Sequence, residues 1–132
     1  MRPLRAVLIL ACVLVCSACG DARQRAEREI RRDGGQQLRR DAARLYMQVF
    51  TAHGRPDFVD IWYKDWPRSI QQIAPLHVGA YHDGISIALS ANDRGESGLY
   101  VVPESMDHVP ASTSGVSFQK VADGIYWYSF SK

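Results

Sequence analysis

Midway along the chain the apolar residues switch from helical to alternating spacing, a pattern that suits a helix laid on a sheet. From Gln36 to His53 (QQLRRDAARLYMQVFTAH), Leu38, Ala42, Leu45, Tyr46, Val49 and Phe50 form one wide apolar face, with Arg39, Arg40, Arg44 and Gln48 on the rest. A helix of that length spans about 27 Å, enough to cover a small sheet. It is predicted to stop near Gly54, where Gly, Arg and Pro56 follow the last periodic residue. From Leu76 the period is two. Leu76 to His82 (LHVGAYH) and Ile85 to Ser90 (ISIALS) flank Asp83-Gly84, a two-residue hairpin signal. With those two residues as the loop, His82 pairs with Ile85, Ala80 with Ile87 and Val78 with Leu89. The same register sets Tyr81 opposite Ser86, Gly79 opposite Ala88 and His77 opposite Ser90, so one face is apolar and the other mixed.

The remainder fills in around that hairpin. Asp57 to Trp66 is rich in aromatics and ends at Pro67, and Ser69 to Ile73 suits one short helical turn before Pro75. Asn92 to Gly98 reads as a polar loop, Leu99 to Val102 as a third strand and Pro103 to Gly115 as a long irregular segment. Phe118 to Val121 fits a strand or a loop. Asp123-Gly124 forms a second turn before an aromatic strand, Ile125 to Phe130. The expected fold class is α+β: a four- to five-stranded antiparallel sheet with one long N-terminal helix, Gln36 to His53, packed on one face.

Cys12, Cys16 and Cys19 all fall within the first twenty residues, so packing alone must hold the domain. Met1 to Arg5 is a short basic stretch. Ala6 to Val15 is an unbroken apolar run, too short to cross about 30 Å of hydrocarbon as a permanent helix. With Ser17 and Ala18 following, it reads as an export signal. Cys16-Ser17-Ala18-Cys19 resembles a lipobox, in which small residues precede a cysteine that is lipidated and becomes the new N-terminus. Cys16 departs from the usual leucine three places before that cysteine, and bulky Val15 makes Cys16 the poorer acceptor. The resemblance implies a bacterial lipoprotein: a signal peptide over 1–18, a lipidated Cys19 with a charged tether over 19–35, and the small domain over 36–132. It also implies a membrane partner through Cys19 and a place in the cell envelope, on the inner or outer membrane, facing the periplasm. The plainer alternative is secretory cleavage near Ala18 that leaves Cys19 a free thiol.

Asp21 to Asp33 (DARQRAEREIRRD) carries only a thin stripe of Ala22, Ala26 and Ile30, and Gly34-Gly35 interrupts it. It is expected to be a marginal helix or flexible tether. Its arginines would gain about 1 kcal/mol apiece on anionic headgroups, or else simply face water. Charge is unevenly spread: eight arginines against five acids from Asp21 to Arg44, then six basic residues against nine acids from Leu45 onward. A formal net charge of +2 gives no footprint for nucleic acid.

Sequence motifs for chemistry are sparse. His77 and His82 are an odd number apart on one strand and point to opposite faces, no His-Glu-x-x-His is present and every cysteine lies in the leader, so neither metal nor cofactor is expected. Gly-x-Ser-x-Gly is absent. Asp57, Asp60 and Asp65 read as solvated partners of Lys64 and Arg68, and Asn92 to Glu96 as a turn rather than a calcium loop. The candidate binding face lies on the mixed side of the sheet, where small Gly79, Ser86 and Ala88 adjoin Tyr81 and either Tyr126 with Tyr128 or Trp127. Trp62 and Trp66 complete the candidate set, and that side is open or else covered by the Pro103–Gly115 or Trp62–Trp66 segment. The domain is similar to small uncharacterised bacterial domains with a Gly-Leu-Tyr strand (Gly98 to Tyr100) and an aromatic last strand, a likeness that carries no activity. The expected role is a non-enzymatic module that binds another envelope protein, as an inhibitor, immunity factor or assembly subunit does. The alternatives are a small hydrolase acting on cell wall or lipid, with a site of scattered Asp, His and Tyr, and a passive structural lipoprotein.

Overall fold

The computed structural model describes residues 21–106 and 108–132. The expected signal peptide and Cys19 lie outside the described residues. Asp21 opens helix α1 (Ala22–Asp33) with a capping box: its carboxylate accepts from the Gln24 amide at 2.7 Å, and the Gln24 side chain accepts from the Asp21 amide. Of the two expectations for this segment, marginal helix or flexible tether, the described structure has the helix, and it is docked. Ala26 and Ile30 join the main core, and α1 packs on α3 (Arg68–Ile73), whose Ile70 and Ile73 are fully buried. Arg25 Nε donates to the Ile73 carbonyl at 2.7 Å and Arg32 reaches Gln72 at 3.3 Å. A stripe too narrow to hold a helix in isolation suffices once a partner covers it.

Gly34 and Gly35, at φ +71° and +82°, turn the chain into α2 (Gln36–His53). Gly35 has no side chain with which to cap α2, and Asp33 supplies the cap, accepting from the Gly35 and Gln37 amides at 3.1 and 2.9 Å. The paired glycines are thus an ordered corner. Leu38, Ala42, Leu45, Tyr46 and Val49 of α2 are buried, while Phe50, read as part of its apolar face, is exposed.

The sheet has six strands where four or five were expected: β1 (Val59–Ile61), β2 (His77–Tyr81), β3 (Gly84–Asn92), β4 (Gly95–Val101), β5 (Val116–Ala122) and β6 (Ile125–Ser131). Every neighbouring pair is antiparallel, in the order β1-β2-β3-β4-β6-β5. Among the described residues there are three helices and a 3-10 turn at Tyr63–Asp65: the expected long helix α2, with α1 and α3 added beside it. β4 and β5 run parallel with β6 between them, and residues 102–115 make the crossover such a connection needs. Val78, Ala80, Ile85, Ile87, Leu99, Val101 and Ile125 face the helices in one core. No helix among the described residues is long and apolar enough to cross a membrane.

The β2–β3 register differs from the expected one by two places. Tyr81 pairs with Gly84, Gly79 with Ser86 and Val78 with Ile87, and His82-Asp83 forms the turn. Gly84 has no positive φ. What makes it glycine is proximity, since a Cβ there would meet the Val101 carbonyl at 2.8 Å and the Tyr100 ring at 2.7 Å. A two-place shift leaves every side chain on its expected face, because the side-chain period is also two. Asn92 to Gly98, expected as a loop, instead holds the end of β3, the Asp93-Arg94 turn and the start of β4.

Candidate functional site

Away from the helices, the second face of the sheet assembles from alternate residues of five strands. β2 gives His77, Gly79 and Tyr81, β3 gives Gly84, Ser86 and Ala88, and β4 gives Glu96, Gly98 and Tyr100. β6 adds Tyr126, Tyr128 and Phe130, and β5 adds Val116, Phe118 and Lys120. β3 carries only small residues among these, so rings from the strands on both sides lean over it. Phe58, Tyr81, Tyr100 and Phe118 form a ladder across the sheet with centroid separations of 5.1, 6.3 and 5.4 Å.

Beside the ladder lies a groove of about 400 Å³. Ser86 lies at its floor, 3% exposed, with Tyr81, Tyr100, Phe118, Tyr128 and Phe130 around it. The crossover supplies the remaining wall through His108, Pro110 and Ala111. The expected alternatives of an open or a covered face thus meet halfway: residues 108–111 wall the groove and leave it accessible.

Two carboxylates, held in matching ways, line the groove. Asp83, on the β2–β3 turn, accepts a hydrogen bond from the Tyr100 hydroxyl, and its other oxygen lies 2.9 Å from His108 Nε2. Glu96, near the start of β4, accepts from the Tyr128 hydroxyl at 2.5 Å, with its other oxygen 2.8 Å from His77 Nε2. Burial, and then the carboxylate beside each, pushes the Tyr100 and Tyr128 hydroxyls far above the usual phenol range. Burial followed by the Glu96 charge raises Tyr81 as well. Tyr100 and Tyr128 therefore act as fixed donors, and the Ser86 hydroxyl is spent on the Gly79 carbonyl at 3.5 Å. Both imidazoles meet carboxylates, and among the described residues no serine hydroxyl bonds either ring. Among the described residues no group of three or more His, Cys, Asp or Glu side chains is placed to hold a metal ion.

Of the six aromatics in the candidate set, Tyr81, Tyr126 and Tyr128 share this face. Trp127 points the other way, toward the helix layer, where the Arg23 guanidinium sits 4.8 Å from its ring centroid. Trp66 is buried in the core with its indole N–H on the Ile61 carbonyl at 2.8 Å. Trp62 is 75% exposed, beyond the end of β1 and away from the groove. Sequence reasoning missed Asp83, Glu96, His77, His108 and Tyr100. Glu96 shares strand parity with Tyr100, a signal hidden once the polar stretch before Leu99 was taken for a loop. His108 approaches only because the crossover folds back. Compared with known protein families, curated proteins and solved structures, the chain matches none.

Proposed function

We propose that this is a lipid-anchored protein of the bacterial envelope, attached through Cys19 and facing the periplasm, that binds another envelope protein through the groove on its outer sheet face. The observation that carries the reading is a preformed, ring-walled groove whose two carboxylates are already held by the Tyr100 and Tyr128 hydroxyls. Such a surface offers shape and aromatic area with little rearrangement on binding. A passive structural lipoprotein has no use for an open aromatic patch, and here Phe58, Tyr81 and Phe130 are 51%, 37% and 42% exposed. On this reading the anchor lies two residues before Asp21, so the domain sits directly at the membrane surface, with the arginines of α1 close to the headgroups.

Ala111 is exposed on the groove wall, so Ala111→Trp fills the groove without disturbing the buried floor. The soluble Cys19→Ser form is expected to retain a specific envelope partner that the Ala111→Trp version loses, while Met47→Ala, on α2, keeps it. Equal retention by all three ends the groove reading. The anchor has its own measurement: a fatty-acid analogue fed to cells should label the wild type and spare Cys19→Ser.

The second reading, a small hydrolase of cell wall or lipid, draws on Asp83, His108 and Glu96 converging in one groove, with His77 behind Glu96. Turnover of envelope substrates that vanishes in both Asp83→Asn and Glu96→Gln would displace the binding reading.

A further inference from the structure

We infer that the group received by the groove is a cation, an ammonium or guanidinium on a short apolar stem, presented as a basic side chain of the partner protein. This rests on the groove being the binding surface proposed above and adds the chemistry of what it holds.

Charge segregation is the first ground. From Asp21 onward the chain holds fourteen arginines and lysines, and none of them lines the groove. Eight arginines lie between Asp21 and Arg44, within the helical layer on the other side of the sheet. Lys120, on the groove's side, is engaged with Asp123 at 3.3 Å. The carboxylates of Asp83 and Glu96 meet phenols and imidazoles inside the protein and no permanent cation. A low-dielectric wall with one sign of charge focuses its field on an incoming opposite charge.

The second ground is the kind of polar capacity left over. Tyr100 and Tyr128 each have a single hydroxyl proton, and each gives it to a carboxylate, so neither can donate to a bound anion or carbonyl. What remains toward the groove is the Tyr81 hydroxyl at its edge, together with carboxylate lone pairs and ring faces, which outnumber that one donor. Both attract cations, the rings within about 6 Å of their centroids. Size is the third ground. A volume of about 400 Å³ is near the lower end of small-ligand sites, which suits one side-chain head better than a polymer chain.

The test is titration of the soluble Cys19→Ser protein, followed by amide NMR, with n-butylammonium, n-butylguanidinium, neutral n-butanol, anionic butyrate and N-acetylglucosamine. Both cations should perturb the Ser86, Glu96, Tyr100 and Tyr128 amides and bind at least about tenfold tighter than n-butanol. In the Asp83→Asn/Glu96→Gln double variant that preference should fall below about threefold. Butanol or N-acetylglucosamine binding as tightly as the amine, butyrate binding better, or cation shifts confined to residues outside the groove would each overturn the inference. Should the cations fail while Ala111→Trp still abolishes partner retention, the inference falls and the groove reading stands. Should Ala111→Trp leave retention intact, the groove reading itself has failed.

Discussion

Replacing Ile30 with alanine tests whether α1 belongs to the folded unit, and with it how close the anchored domain sits to the membrane. Ile30 is 6% exposed and shares the main core with Ile70 and Ile73. The substitution removes three carbons, worth about 2.4 kcal/mol at about 0.8 kcal/mol per buried methylene, and the residual cavity raises the loss to about 3 kcal/mol. With a urea slope of about 1.5 kcal/mol/M, the unfolding midpoint should fall by about 2 M, a large share of the stability of a domain this size. The assay is urea unfolding of the Cys19→Ser form followed by circular dichroism, with Arg28→Ala, an exposed change on the same helix, as the unaffected control. Amide exchange distinguishes detachment of α1 alone from global unfolding, since detachment would unprotect residues 22–33 and leave the sheet protected. A midpoint within about 0.3 M of wild type, together with unprotected α1 amides in the wild type, would refute the docked helix and restore the flexible tether.

Three further outcomes follow from the groove and the turns. The raised Tyr100 and Tyr128 hydroxyls mean that the folded chain keeps protons which the unfolded chain releases above pH 10. Stability is therefore whole below that pH and falls above it, by about 1.4 kcal/mol per pH unit per tyrosine; absorbance at alkaline pH should show Tyr100 and Tyr128 ionising only as the protein unfolds. Tyr128→Phe and Glu96→Gln should each lower stability by about 1.5–3 kcal/mol, and the double variant should lose less than their sum by at least about 1 kcal/mol, because the two share one charge-assisted hydrogen bond. Additive losses in the unfolding curves would separate the two residues. Gly84→Ala should destabilise by about 1–3 kcal/mol through its collision with the Val101 carbonyl and Tyr100 ring, measurable as a lowered melting temperature, whereas an unchanged value would return Gly84 to the role of a free turn residue.

Local chemistry made much of the architecture readable in the chain. The Gln36–His53 helix stands where its period placed it, because an apolar face repeated over so many turns has one good way to be buried. The faces of the β2–β3 hairpin were legible even though its register was off by two, since alternation carries parity and not absolute pairing. Asp123-Gly124 turns as expected, with Gly124 at φ +68°. β1 has only three residues, too few for alternation to rise above its aromatic surroundings.

The groove belongs to the tertiary structure. Asp83, Glu96, His77 and His108 come from a turn, a strand start, another strand's first residue and a crossover, with no shared spacing to connect them. Whether a carboxylate faces water or a tyrosine hydroxyl depends on which strands are neighbours, and that was settled when residues 102–115 carried the chain past the place of β6. Trp127 and Trp66 make the same point from the other side: composition marks them as contact-prone, yet parity sends one beneath the helices and packing seals the other in the core. Periodicity along a chain encodes which way each side chain points. What it meets there is decided by segments far away in sequence, because contact energies depend on distance in space.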